Sequence, residues 1–152
     1  MKAIIIVKEN KNIISKVIEN LLSYDIDDFI VFTKEHFTRR EREYYRTNKI
    51  NVIFLYDNGK ENSITLLKNI RGSINSQFLI AYSPKIEKID IEKMIIAHKN
   101  NQTIATLSII ENKLAMAIFE QEVFDYIKNQ NSLESEVISR IAEDSEVSIF
   151  LN

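Results

Sequence analysis

Short runs of apolar, β-branched residues alternate along this chain with stretches in which apolar positions recur every three or four residues. Residues 3–7, AIIIV, form a continuous apolar run that suits a strand buried on both faces of a parallel sheet. Ile13, Ile14, Val17, Ile18, Leu21 and Leu22 then repeat at helical spacing, with Asn12 available as N-cap. A second strand is predicted over 29–33. The charged segment 36–48 follows, with Phe37, Tyr44 and Tyr45 about two turns apart, and reads as an amphipathic surface helix. A third strand covers 51–56. DNGKEN at 57–62 is turn chemistry, and Ser63 is placed to cap a helix carrying Ile64, Leu67 and Ile70 on one face.

Residues 78–82 make a fourth strand that Pro84 stops. Asp90 caps a helix whose Ile91, Met94, Ile95 and His98 share a face, and 103–110 is a fifth strand. Strand 114–119, helix 122–129, helix 132–144 and strand 147–151 complete the series. Strands alternating with helices imply an α/β fold, a doubly wound, mostly parallel sheet in a Rossmann-like three-layer sandwich. No repeat, linker or low-complexity tract divides the chain, so residues 1–152 are expected to form a single domain.

Composition narrows the function. At 152 residues, folding buries roughly two-thirds of the unfolded surface, enough for a core without staples. Hydrophobic residues at 45% and charged residues at 28% exclude wholesale disorder. A formal charge of -2 provides no global field for nucleic acid or an anionic membrane, so neither is expected as a partner. The absence of cysteine removes disulfides, thiolate metal sites and Cys nucleophiles, and two histidines make a His-rich metal site improbable. MKAIIIVKENKN has too short an apolar stretch for a signal segment or a membrane span, which leads to the expectation of a cytoplasmic protein.

Taken in order, several pieces resemble the sugar-phosphate nucleotidyltransferases, the nucleotide-sugar pyrophosphorylases. MKAIIIV is similar to the family's opening strand, and IISKVIENLLSYDIDDFIVFT to its first helix and second strand. SITLLKNI resembles the helix after the third strand. QFLIAYSPKIEKIDIEKMIIAHKNNQTIATLSII resembles the strand, active-site turn, helix and next strand, and FEQEVFDYI and SLESEVISRIAED resemble the late elements. The resemblance spans nearly the whole chain and implies a nucleotide-diphospho-sugar transferase type of fold.

Departures from the pattern bear on chemistry. The family follows its first strand with a Gly-rich loop ending in Gly-Thr-Arg that holds the triphosphate, whereas KENKN at 8–12 has neither Gly nor Arg. The family's Gly-Asp after the fourth strand, which holds magnesium, aligns with Ser83 and Pro84. The sugar-binding subdomain that the family inserts between Ile110 and Glu111 is reduced to a turn, and the chain ends at Asn152 before the family's second metal-binding Asp. Nucleotidyl transfer depends on positioning and charge neutralisation, so these losses predict no pyrophosphorylase turnover, no catalytic residue, no metal site and no resident cofactor. Magnesium enters only if a rearranged site is active, with Asp57, Glu87 or Asp90 in place of the missing carboxylate.

Lys8, Asn10, Tyr82 and Ser83 fall at the carboxyl ends of the first and fourth strands, where open α/β sheets bind ligands, and are candidates for holding a nucleotide or sugar phosphate. The resemblance adds Glu134 as a candidate ligand contact, although capping and solvation explain Glu134 and Glu136 equally well. TRREREYYRTNK interleaves Arg39, Arg40, Arg42 and Arg46 with Tyr44 and Tyr45, a pattern that fits base stacking, but Glu35, Glu41 and Glu43 dilute it. A solvated helix laced with pairs such as Arg39 with Glu43 is the plainer reading. His98 reads as a packing residue in preference to a base, His36 as a helix-start residue, and Asp25, Asp27 and Asp28 as a turn, since EF-hand spacing is missing.

Together these readings predict a degenerate nucleotidyltransferase-like domain serving as a regulatory or structural partner, in a homo-oligomer or beside an active relative, in nucleotide-sugar or surface-polysaccharide metabolism. A minimal active nucleotidyltransferase and a nucleotide or sugar-phosphate sensor are the alternatives.

Overall fold

A computed structural model describes residues 1–6, 8–58, 61–82, 84–129 and 131–152. The apolar runs become strands β1 (Lys2–Ile5), β2 (Asp28–Thr33), β3 (Asn51–Tyr56), β4 (Phe78–Ala81), β5 (Ala105–Ile110), β6 (Lys113–Phe119) and β7 (Val147–Phe150). They form one sheet in the order β3-β2-β1-β4-β6-β5-β7. Every neighbouring pair is parallel except those of β6, which runs antiparallel to both β4 and β5.

The reversal at β6 has a local cause. Glu111 and Asn112 both adopt positive φ, 52° and 61°, the paired left-handed geometry of a two-residue hairpin turn whose twist matches that of the flanking strands. The Glu111 carboxylate also holds the hairpin to the rest of the chain, 2.6 Å from Lys85 Nζ and 4.0 Å from Lys88 Nζ.

The helices are α1 (Lys11–Leu22), α2 (Arg39–Thr47), α3 (Ser63–Ile70), α4 (Ile91–Asn101), α5 (Val123–Tyr126) and α6 (Ile138–Glu143). Several boundaries differ from the sequence expectation, mostly because a neighbouring side chain supplies the cap. Asn10, not Asn12, caps α1, accepting from the backbone N–H groups of Asn12 and Ile13. Thr38 caps α2 in a reciprocal capping box with Glu41, so the helix starts at Arg39 and not at 36. Asn62, not Ser63, caps α3. Asp90 caps α4 as expected. The helix expected over 122–129 shortens to Val123–Tyr126, and the one expected over 132–144 opens with a π-helical turn, Leu133–Val137, before α6.

Alternation along each strand sends side chains to opposite faces, producing three layers. On one face Ala3, Ile5, Phe29 and Val31 meet Ile14, Val17, Ile18 and Leu21 of α1 and Ile91 and Met94 of α4. On the other, Ile4, Ile30, Phe78 and Ile80 meet Ile64, Leu67 and Ile70 of α3 and Leu133, Val137 and Ile141 from the π turn and α6. Among the described residues no helix is long and apolar enough to cross a membrane.

His98 of α4 links β5, β7 and the turn after β6 at the amino-terminal end of β5. It is buried, with Nδ1 2.8 Å from Thr106 Oγ1 and Nε2 3.0 Å from Glu120 Oε1, and Thr106 Oγ1 lies 2.8 Å from Ser148 Oγ. A carboxylate only accepts, so the neutral ring carries its proton on Nε2, and Nδ1 accepts from the Thr106 hydroxyl. Burial holds the imidazole pKa below its ordinary 6.5, outweighing the opposing pull of Glu120.

Two outcomes follow from this packing. Phe78, fully buried with ring centroids 5.8 Å from Phe119 and 5.7 Å from Phe124, is central to one layer. Phe78→Ala is expected to cost about 3–5 kcal/mol in urea unfolding, and a loss within experimental error of zero would contradict the layer assignment. For His98, the unfolded chain binds the proton more readily than the folded one, so stability is fully present above about pH 6.5 and falls as the solution becomes more acidic. The melting temperature should therefore drop between about pH 7 and pH 5.5, and His98→Gln should flatten that decline; equal slopes in both proteins would show that the buried imidazole is not its source.

Candidate functional site

The strand order reverses beside β1, since the chain moves outward through β2 and β3 and then returns past β1 to place β4 on its other side. A crevice lies there, outside the carboxyl ends of the strands. Here it is a cleft of about 720 Å³, a size suited to a metabolite. Ile6, Phe32 and Leu66 supply apolar surface, and the loops after β1, β2, β3 and β4 supply the walls.

Each wall has a local construction. After β1 the chain has only residues 6–10 before α1 begins, and Ile6 N–H still donates to Ala81 O at 3.0 Å. Asn10 Oδ1 accepts from the N–H groups of Asn12 and Ile13, both at 3.1 Å. Those are amides of the first helical turn, where a phosphate-binding helix would offer free donors to its ligand. After β2, Thr33 Oγ1 accepts from Glu35 N–H at 3.1 Å, a tight turn that places Lys34 and Glu35 on the cleft.

Asn62 Oδ1 accepts from Thr65 N–H at 2.9 Å, and its Nδ2 donates to Asn131 O at 2.9 Å. Ser63 Oγ donates to Glu134 Oε1 at 3.2 Å. The start of α3 is thereby tied to the segment leading into α6, and Glu134 becomes a wall residue.

The Tyr82 hydroxyl is buried and has no hydrogen-bond partner among the described residues. Burial first, and the charge of Glu134 second, push its pKa well above the usual tyrosine value, so it stays a neutral O–H donor. Among the described lining residues, Glu9, Glu35, Asp57, Glu61 and Glu134 face two cations, Lys8 and Lys34.

Of the residues singled out from the sequence, Lys8, Asn10, Tyr82 and Glu134 line this one cleft, as does Pro84; Ser83 lies outside the described residues. Asp57 is there too, but neither Glu87 nor Asp90 is. The Asp90 carboxylate is engaged as a cap and in an ion pair with Lys93 Nζ at 2.9 Å. Where the resemblance implies a magnesium-holding carboxylate stands Pro84, which has no side-chain oxygen, and among the described residues no three His, Cys, Asp or Glu side chains converge as metal ligands.

The remaining candidates lie elsewhere. His98 is at the opposite end of the sheet. His36 packs against Tyr56 with the rings tilted by 30° and their centroids 4.1 Å apart. Glu43 pairs with Arg46 at 2.7 Å, not with Arg39, and Glu41 pairs with Lys11 at 2.9 Å. Glu136 accepts from Asn131 N–H at 3.3 Å, while Asp27 O and Asp28 Oδ1 accept from Asn51 at the start of β3. Sequence reasoning missed Glu9, Lys34, Glu35, Glu61 and Asn62. The strand-end rule applied to β1 and β4 would have found Lys34 and Glu35 had it been extended to β2.

No protein-family model and no curated protein sequence matches the chain. Solved structures do. HddC from Yersinia pseudotuberculosis aligns over 98% of this chain and 88% of its own, at 13% identity and a TM-score of 0.64. The 4-diphosphocytidyl-2C-methyl-D-erythritol synthase from Anaerococcus prevotii aligns over 98% and 85%, at 11% identity and 0.65. The inositol-1-phosphate CTP transferase from T. maritima aligns over 98% and 84%, at 9% identity and 0.66. The chain has the nucleotidyltransferase fold over nearly its whole length.

Proposed function

We propose that this domain does not transfer nucleotidyl groups and acts as a regulatory or structural partner, of itself or of an active relative with the same fold, in nucleotide-sugar or surface-polysaccharide metabolism. The observation that carries the reading is the β1–α1 connection, in which the Asn10 carboxamide occupies amides that a phosphate-binding loop would present to its ligand. The acidic walls work in the same direction. Phosphoryl chemistry relies on cations and donors to neutralise charge on the transferred group, and here the described lining has more carboxylates than lysines.

Open sheet edges support a role in assembly. The outer strands are β3, where Ile53 and Tyr56 are exposed, and β7, where Ile149 is exposed and Leu151 follows. Strands of this kind pair readily with another chain unless they are covered. The size of the cleft favours a second, compatible reading in which a bound small molecule regulates the partnership.

Incubating the domain with magnesium, each common nucleoside triphosphate and a set of sugar 1-phosphates should release no pyrophosphate above the uncatalysed background. Magnesium-dependent release proportional to protein concentration would establish a minimal enzyme and remove the non-catalytic reading.

A further inference from the structure

The two edges of the sheet are open in complementary ways. Neither β3, NVIFLY, nor β7, VSIF, carries a charged residue or a proline, the usual devices that keep an edge strand from pairing. Asn51 N–H donates to Asp27 O and Asp57 N–H to Thr33 O, so the odd-numbered residues of β3 turn their backbone groups to β2. Val52, Phe54 and Tyr56 therefore turn theirs outward. On the other edge Ala105 N–H donates to Glu146 O, which leaves the N–H and C=O groups of Val147 and Ile149 on the open side of β7. Exposed apolar side chains accompany both edges, Ile53 on β3 and Ile149 on β7. Leu55 and Val147 pack in the layer of α3 and α6, and alternation places Ile53 and Ile149 on that same face.

Charge separates the edges. Over 39–56 five cations stand against two carboxylates, and over 138–150 three carboxylates stand against one cation. The chain enters β3 from α2 through Arg46 and Lys49, and it enters β7 from α6 through Glu143, Asp144 and Glu146. Both groups thus lie at the amino ends of their strands, where a parallel pairing of β3 with β7 would bring them together.

We infer that the open edge of β3 docks the β7 edge of a second copy of this chain, the two strands running parallel so that one sheet continues from copy to copy. This deepens the assembly role proposed above and rests on it. With Phe54 beside Ser148 of the second copy, Phe54 N–H donates to Val147 O and Ile149 N–H donates to Phe54 O. Tyr56 N–H then reaches Ile149 O, and Val147 N–H reaches Val52 O. The same register sets Ile53 against Val147 and Leu55 against Ile149 on one face, and Tyr56 against Phe150 on the other. Pairing either edge with itself about a two-fold axis leaves the other edge, and Ile149 or Ile53 with it, uncovered. Head-to-tail contact covers both, and because its two surfaces differ, association continues past two copies into a row or a closed ring.

Sedimentation velocity of the whole domain at low salt tests this. The average sedimentation coefficient should climb beyond the value for a dimer over about a hundredfold range of concentration, and salt at about 1 M should move that climb to higher concentration. Lys49→Glu and Glu146→Lys should each raise the concentration for half-association by about tenfold. The double variant should restore it, since every contact again opposes unlike charges. Ile149→Lys should abolish association. Melting temperatures of the variants in dilute solution, unchanged from the parent, keep a folding defect from imitating these losses.

A monomer at every concentration, a dimer that grows no further, or a charge reversal that the double variant fails to rescue would overturn the inference. The closed dimer defeats only the head-to-tail contact and leaves the assembly role standing. A monomer throughout defeats self-assembly as well, and leaves the active relative as the partner.

Discussion

Burial of β1 and β4 on both faces is the constraint that positions everything else. Ala3, Ile4, Ile5, Phe78, Leu79, Ile80 and Ala81 are all out of solvent, so a helical layer must cover each side of the sheet. With α1 and α4 on one face and α3 and α6 on the other, the connections after β1 and β4 run to one side of the sheet and that after β3 to the other. The cleft lies between those two layers, outside the carboxyl ends of the strands. Fold and cleft are thus inherited together, while the chemistry of the cleft depends on a few loop residues free to change.

Those loops account for the contrast between a recognisable fold and an altered site. Asn10 shortens the path from β1 to α1 by closing the first helical turn with its own side chain. A longer, glycine-rich loop would leave such amides free to meet a phosphate. Asn62 does similar work at the start of α3, and its second contact, to Asn131, draws Glu134 toward the cleft. Two asparagines acting as caps therefore help decide which groups a ligand would meet.

Much of this was legible in the sequence. The apolar runs located the seven strands, with β1 and β4 apolar throughout because both of their faces are covered, and the helical repeats in 13–22 and 64–70 named the faces that pack. Helix starts were harder, since Asn10, Asn12, Asn62 and Ser63 are all competent caps and only the path of the chain selects between them. The antiparallel course of β6 was hidden because Glu111 and Asn112 give weaker turn signals than glycine, yet both adopt positive φ. Lys8, Asn10 and Tyr82 could be placed by the strand-end rule. The charge of the described lining could not, because Glu9, Glu35, Asp57 with Glu61, and Glu134 come from four separate stretches and look like ordinary surface residues until the fold gathers them.

The claim at the centre of this account is that the β1–α1 connection no longer offers a phosphate cradle. Calorimetric titration of CTP and its four common counterparts into the domain, with and without magnesium, tests it most directly. The account predicts no saturable heat under either condition. Saturable, magnesium-dependent binding that persists at physiological salt would contradict it, since it would mean that the triphosphate finds donors and cations which the arrangement of Asn10 and the acidic walls does not supply.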